Sequence, residues 1–272
     1  MNPATNAPTT EFSSVRVIAA ELKSDDLAYI QLVTAQRELW VARLGLVPYD
    51  EALELQQDLR TARMHEAIPD TLLLLEHPPV YTRGRRSTPD ELPMGEDWYH
   101  EQGIELRDVD RGGKVTYHGP GQLTGYMIVD TEIVGDDVKR LVGSIEQAVI
   151  AALRSEHVDD ARPDDAGRGV WAGEGEASGK IASVGLHIAH GVTMHGFAVN
   201  VDNDLTPFEW IKPCGLDDPA TSIAQQTGAH GRMRCFEKRV AYDLATRLGL
   251  RQRLVTPERL ARALAADLVF SA

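Results

Sequence analysis

The sequence predicts an α/β fold in which a mixed sheet is flanked by helices. Short apolar runs of strand length, bounded by Gly and Pro, crowd residues 71–130 and return over 181–201. Segments of helical period lie before, between and after them. With 43% hydrophobic and 25% charged residues over 272 positions, the chain has the composition of a globular protein and enough length for a substantial core. One domain is expected over residues 15–272, C-terminal helices included, after a polar, disordered tail at 1–14.

The elements follow in order. Leu27, Ile30, Leu32, Val33, Leu39 and Trp40 predict an amphipathic helix over 26–46, and a second is expected at 49–65. Residues 71–76, with the densest apolar stretch at Leu72–Leu75, read as a buried strand ended by Pro78 and Pro79. Pro89 and Pro93 mark a loop. Strands are expected at 104–108, 115–118 and 123–130, parted by Arg111-Gly112-Gly113 and Gly119-Pro120-Gly121. A long helix at 136–157 carries Val138, Leu141, Ile145, Val149 and Leu153 on one face, with Asp136 and Asp137 at its positive end. Residues 158–178, rich in Asp, Glu and Gly, read as an exposed loop holding a short strand at Val170-Trp171. Two strands at 181–188 and 192–201 turn near His190-Gly191, and helices close the chain at 236–248 and 257–269, the last with Thr256 as N-cap.

Charge and cysteine usage exclude several classes. Lys plus Arg number 28 against 41 Asp plus Glu, so the net charge of −13 argues against general attraction to nucleic acid. No apolar run approaches the ~20 residues of a membrane span. The N-terminus lacks the basic start and apolar middle of a secretory signal. Two cysteines make no disulfide framework, which fits a cytoplasmic protein. Arg83-Gly84-Arg85-Arg86 is a local basic exception, suited to an acidic partner or a phosphate, or equally to a solvated loop.

Two glycine-flanked segments carry candidate chemistry, Gly179-Lys180-Ile181-Ala182-Ser183-Val184-Gly185 and Lys212-Pro213-Cys214-Gly215. A cysteine attacks as its thiolate, and at an ordinary pKa of ~8.5 it needs a neighbouring cation or base to be reactive at neutral pH. Lys180, at the start of a strand in a semi-buried setting, is placed to be that helper, and Cys214, in a turn, to be the nucleophile. Cys235, between Arg234 and Phe236, reads as a small packing residue. Arg111-Gly112-Gly113-Lys114-Val115-Thr116-Tyr117-His118 offers backbone that a ligand can approach closely, though the same spacing serves as tight turns between strands. A dinucleotide fingerprint and a phosphate-binding P-loop both fail on spacing. His187 and His190 alternate to opposite strand faces, so with His195 they make a poor metal site.

Leu74-Leu75-Glu76-His77-Pro78-Pro79-Val80-Tyr81-Thr82, the Arg111–Leu123 stretch, the Lys180 segment, His195-Gly196-Phe197-Ala198-Val199-Asn200 and Pro213-Cys214-Gly215 together resemble the lipoyl(octanoyl) transferase family. The resemblance spans residues 27–248 in matching order. It implies the fold shared by biotin and lipoate protein ligases, and transfer of octanoyl from octanoyl-acyl carrier protein to a specific lysine of a lipoyl domain. It further implies Cys214 as acyl-thioester nucleophile, Lys180 as the residue that lowers its pKa or takes its proton, and no metal or cofactor. The implied acyl pocket comprises residues 111–118, Ser183, Val184 and Gly185, and Gly196, Phe197 and Ala198. Acceptors would be the lipoyl domains of 2-oxoacid dehydrogenase complexes and the glycine cleavage H protein. Two other readings stand beside it: an ATP-dependent lipoate or biotin ligase, and a non-catalytic acyl-carrier or lipoyl-domain binding protein. The acidic segment 159–176 and the chain beyond Leu250 fall outside the family motifs.

Overall fold

Leu72, Leu73, Leu74 and Leu75 are all buried, and strand alternation sends them two ways. Leu72 and Leu74 join one apolar cluster, Leu73 and Leu75 another. A strand apolar on both faces needs cover on both, and that requirement sets the layers of the fold. The computed structural model describes residues 37–164, 169–212 and 219–270, and those from Arg37 onward belong to one compact unit. The tail at 1–14 lies outside the described residues.

The main sheet has eight strands. In chain order they are β1 (Glu38–Leu46), β2 (Asp70–Glu76), β6 (Gln122–Ile128), β7 (Arg162–Pro163), β8 (Gly169–Ala172), β9 (Gly179–Ala189), β10 (Val192–Asn200) and β11 (Arg251–Val255). Their spatial order is β11-β1-β2-β6-β10-β9-β8-β7, with β1 parallel to both β2 and β11 and the remaining pairs antiparallel. A smaller sheet, β4-β3-β5, is built from β3 (Val80–Arg83), β4 (Glu105–Asp108) and β5 (Thr116–His118).

Helix α1 (Tyr49–Met64) covers one face of the main sheet through Ala52, Leu59 and Ala62. The short α2 (Glu96–Glu101) packs Tyr99 against Tyr81 of the smaller sheet. The other main face receives α3 (Val138–Ser155), whose Leu141, Ile145, Val149 and Leu153 form the predicted stripe. Asp137 caps it by accepting from the Lys139 and Arg140 amides. After the short α4 (Thr206–Glu209) and α5 (Ile223–Thr227), α6 (Met233–Arg247) packs on the same face as α3 through Phe236, Val240 and Leu244. The last helix, α7 (Pro257–Phe270), places Leu260 on the α1 side.

Two expectations are corrected, and two segments gain an assignment. The predicted helix at 26–46 is strand β1 where it is described, and its remainder lies outside the described residues. Leu39 and Val41 enter one cluster while Trp40 and Ala42 enter the other, a period of two that pairing with β2 and β11 imposes over the partial helical match. Residues 158–178 are more than a loop: β7 and β8 extend the main sheet, and Val170 and Ala172 are fully buried. The segments 80–83 and 251–255, unassigned from sequence, are strands because each finds a paired neighbour. Among the described residues no helix is long and apolar enough to cross a membrane.

Candidate active site

A cavity of about 190 Å³ opens beside the centre of the main sheet. Its floor comes from β6 and β10 and its rim from β9 and the loop at 111–116. Two glycines let those floor strands meet. A Cβ on Gly196 would stand 2.1 Å from the Gly125 carbonyl oxygen, and one on Gly125 would stand 2.3 Å from the Phe197 ring. The apolar part of the wall includes Val115, Ile181, Val184, Phe197 and Ala198.

Most residues singled out from sequence converge here. Arg111, Gly112, Gly113, Lys114, Val115, Thr116 and His118 line the cavity, as do Ser183, Val184, Gly185, Gly196, Phe197, Ala198 and Lys180. Tyr117 does not. Strand alternation turns it away from its neighbours, and it packs with Tyr81 and Phe208 in the cluster under the smaller sheet.

Arg111 is 8% exposed, and its guanidinium donates to neutral oxygens: Thr82 Oγ1 and O at 2.6 Å each, and Gly112 O at 3.1 Å. His118 Nδ1 donates to Gln122 Oε1 at 2.8 Å, and Gln122 Nε2 donates on to Asn200 Oδ1 at 2.9 Å. Burial pushes the His118 imidazole far below its ordinary value, so it stays neutral. His77 behaves alike: Nδ1 donates to Val47 O and Nε2 accepts from the Tyr126 hydroxyl, both at 2.7 Å, while burial pulls its pKa down to about 4. Burial also raises Tyr49, at the N-terminal end of α1, to about 12.

His195, buried and at φ +61°, donates from Nε2 to Asp110 Oδ1 at 2.7 Å. That bond holds the Asp110 carboxyl down at about 2, and burial lowers the His195 pKa. His187 also faces Asp110, with Nδ1 3.0 Å from its backbone oxygen. His190 instead sits with Gly191 at the β9–β10 turn, both at positive φ. Among the described residues no His, Cys, Asp and Glu cluster has the arrangement of a metal site.

Lys180 begins β9 and is held from both sides. Its amide donates to Pro219 O at 2.7 Å, and its carbonyl accepts from the Thr221 amide at 3.1 Å. Gly179 permits that approach, since a Cβ there would stand 2.9 Å from Pro219 O. The Lys180 side chain is 26% exposed, and Nζ lies 3.2 Å from Asp164 Oδ2. Asp164 belongs to the acidic segment that sequence reasoning set apart from the catalytic residues, and the antiparallel pairing of β7 with β8, with the Asp164 amide donating to Gly169 O, brings it to Lys180. Cys214, with Pro213 and Gly215, lies outside the described residues. Ile211 and Ala220, on either side in sequence, both line the cavity. Cys235 is exposed rather than packed, because the first turn of α6 buries Phe236 and leaves Cys235 to solvent.

Fold and sequence together define a class. The chain matches the lipoyl protein ligase A/B catalytic domain over residues 48–245 and belongs to that family. Solved structures show the same fold. A lipoate-protein ligase A bound with ATP superposes at a TM-score of 0.65 with 19% identity, covering 85% of this chain and 94% of that one. The ligase of the Thermoplasma acidophilum lipoylation system gives 0.65 and 18%, covering 85% and 92%.

Its nearer relatives narrow the class to an acyltransferase. An octanoyltransferase of Caldicellulosiruptor saccharolyticus is 41% identical over 194 residues, 71% of this chain and 81% of that protein. The octanoyltransferase of Solibacter usitatus is 44% identical over 188 residues, 69% and 83%, and that of Corynebacterium diphtheriae 40% over 192, 69% and 73%.

Proposed function

We propose that this protein transfers an octanoyl group from octanoyl-acyl carrier protein to a specific lysine of a lipoyl domain, through a thioester on Cys214. The observation that carries the reading is the placement of Lys180 on a part-apolar cavity that Ile211 and Ala220 also line. The octanoyltransferase relatives support it.

In the first half-reaction the Cys214 thiol gives its proton to Lys180 and the thiolate attacks the octanoyl carbonyl of the donor thioester. A new C–S bond forms, the donor's C–S bond breaks, and the departing carrier thiolate takes a proton back from Lys180. In the second, the amine of the acceptor lysine attacks octanoyl-Cys214, losing a proton through Lys180 to the departing Cys214 sulfur. The products are an amide and the free thiol, with no ATP consumed, because an amide is more stable than a thioester. Residues 111–116, His118, Ser183, Val184, Gly185, Gly196, Phe197 and Ala198 hold the acyl chain. Each buried methylene adds ~0.8 kcal/mol.

The acceptors are the lipoyl domains of 2-oxoacid dehydrogenase complexes and the glycine cleavage H protein, and the reaction belongs to the cytoplasm. The test offers a lipoyl domain two donors in parallel, octanoyl-acyl carrier protein alone and free octanoate with ATP. Modification by the first and not the second is the expected result. Modification by the second alone identifies an ATP-dependent ligase, and by neither, a non-catalytic binder.

A further inference from the structure

The basic stretch 83–86 reaches the cavity, and its three cations differ in what they meet. Arg83 is committed: its guanidinium donates to Asp108 Oδ1 at 2.7 Å and Oδ2 at 2.9 Å, and also to Glu96. Arg85 and Arg86 are exposed, and neither side chain has a hydrogen-bond or ion-pair partner among the described residues. Arg86 lines the cavity, and Arg85 stands beside it outside.

The backbone holds the pair in place. The Ser87 amide donates to Gly84 O at 2.9 Å, closing a four-residue turn with Arg85 and Arg86 at its two central positions. That turn lies on the cavity loop, the Arg85 amide donating to Arg111 O and the Arg86 amide to Gly113 O, both at 3.1 Å. Glycine is needed at 84, since a Cβ there would stand 2.7 Å from Gly113 O.

The other cations lining the cavity are paired or buried. Lys114 Nζ lies 2.9 Å from Glu91, Lys180 Nζ lies 3.2 Å from Asp164, and Arg111 is buried. Among the described residues no Asp or Glu lines the cavity. The mouth is therefore positive on a chain whose net charge is −13. An acidic macromolecule is repelled by such a chain as a whole and drawn to this turn.

We propose that Arg85 and Arg86 dock the acyl donor through carboxylates on its carrier protein, steering the acyl arm into the cavity that Arg86 lines. The inference rests on the acyl-transfer reading above. Two guanidiniums, one of them outside the cavity, suit a protein surface better than the single phosphate of an arm. The acceptor's reacting group is an amine, which neighbouring guanidiniums repel while it is protonated, so the positive side of the mouth suits the donor.

The double variants Arg85→Glu with Arg86→Glu, and Arg85→Lys with Arg86→Lys, test the role of charge. The measurement is the ratio of kcat/KM for octanoyl-acyl carrier protein to that for octanoyl-phosphopantetheine, which has the arm and phosphate without the protein; the ratio cancels any partial loss of folded enzyme. It falls about 30-fold in the glutamate variant at low salt, the scale of reversing two rim charges, falls less at high salt, and holds in the lysine variant. An unshifted ratio overturns the docking role: both donors slowed alike would place the arm's phosphate on the turn, and a raised KM for the lipoyl domain alone would place the acceptor there. An equal fall in the lysine variant overturns it too, since charge is then not the cause. Octanoyl transfer by the wild type separates this inference from the reading beneath it. No transfer from either donor overturns both, whereas transfer with an unshifted ratio overturns the docking role alone.

Discussion

Lys180 Nζ and Asp164 Oδ2 stand 3.2 Å apart, joining the residue that follows β7 to the start of β9. The pair fixes the amine of a long, flexible side chain, and the backbone clamp to Pro219 and Thr221 fixes its base. Asp164→Asn keeps the shape and removes the charge. Because the pair is partly exposed, the expected loss in the rate of Cys214 acylation is about 5- to 10-fold. Rapid-quench acylation with octanoyl-acyl carrier protein measures it, and an unchanged rate would detach Asp164 from the chemistry.

Replacing Lys180 itself has a larger consequence. Lys180→Ala is expected to slow acylation by ~10²-fold or more, the scale of a lost general base. Lys180→Arg does not restore it, since a guanidinium keeps its proton. Restoration by arginine would mean that Lys180 acts through its charge alone.

Acid weakens the fold through its buried imidazoles. His77 titrates near 4 in the folded protein against an ordinary 6.5, so between those values the unfolded chain binds a proton that the folded one refuses. Stability is full above about pH 6.5, falls by ~1.4 kcal/mol per pH unit for each such histidine as pH drops, and levels off below about 4. His118 and His195, both shifted down by burial, add in the same direction. Urea unfolding at pH 7, 6 and 5 reads the slope. His77→Gln lowers it by about one proton; an unaltered slope would remove His77 from the cause.

The floor strands tolerate no side chain where they touch. Gly196→Ala drives a Cβ against the Gly125 carbonyl, which is backbone and cannot yield, whereas Gly125→Ala meets the Phe197 ring, which can rotate. Both destabilise, Gly196→Ala more, by roughly 1–3 kcal/mol or above. Thermal unfolding ranks them, and the reverse order would contradict this packing.

Much of this site is legible in the sequence because its residues announce themselves by type. Glycines at 185 and 196 mark close approaches of backbone, and Lys180 stands alone before an apolar run. Tyr117 is misplaced by a motif that runs as a block, since alternation splits what sequence keeps together. Asp164 is invisible because its segment reads as acidic loop, and only pairing with β8 carries it to Lys180. Gln56 is missed for a similar reason: a polar residue on α1, it is fully buried and accepts the His195 amide at 2.8 Å, a contact 139 residues distant. β1 is misread as helix because a strand covered on both faces shows no alternation in its sequence.

The most direct test of the account is the mass of the protein after brief exposure to octanoyl-acyl carrier protein without an acceptor, followed by peptide mapping. The chain has two cysteines, and Cys235 is exposed on α6, an internal control for indiscriminate acylation. The account predicts one octanoyl group, on the peptide holding Cys214, lost in Cys214→Ala and discharged by adding a lipoyl domain. An adduct that survives Cys214→Ala, or lipoyl-domain modification by that variant at the wild-type rate, would contradict it.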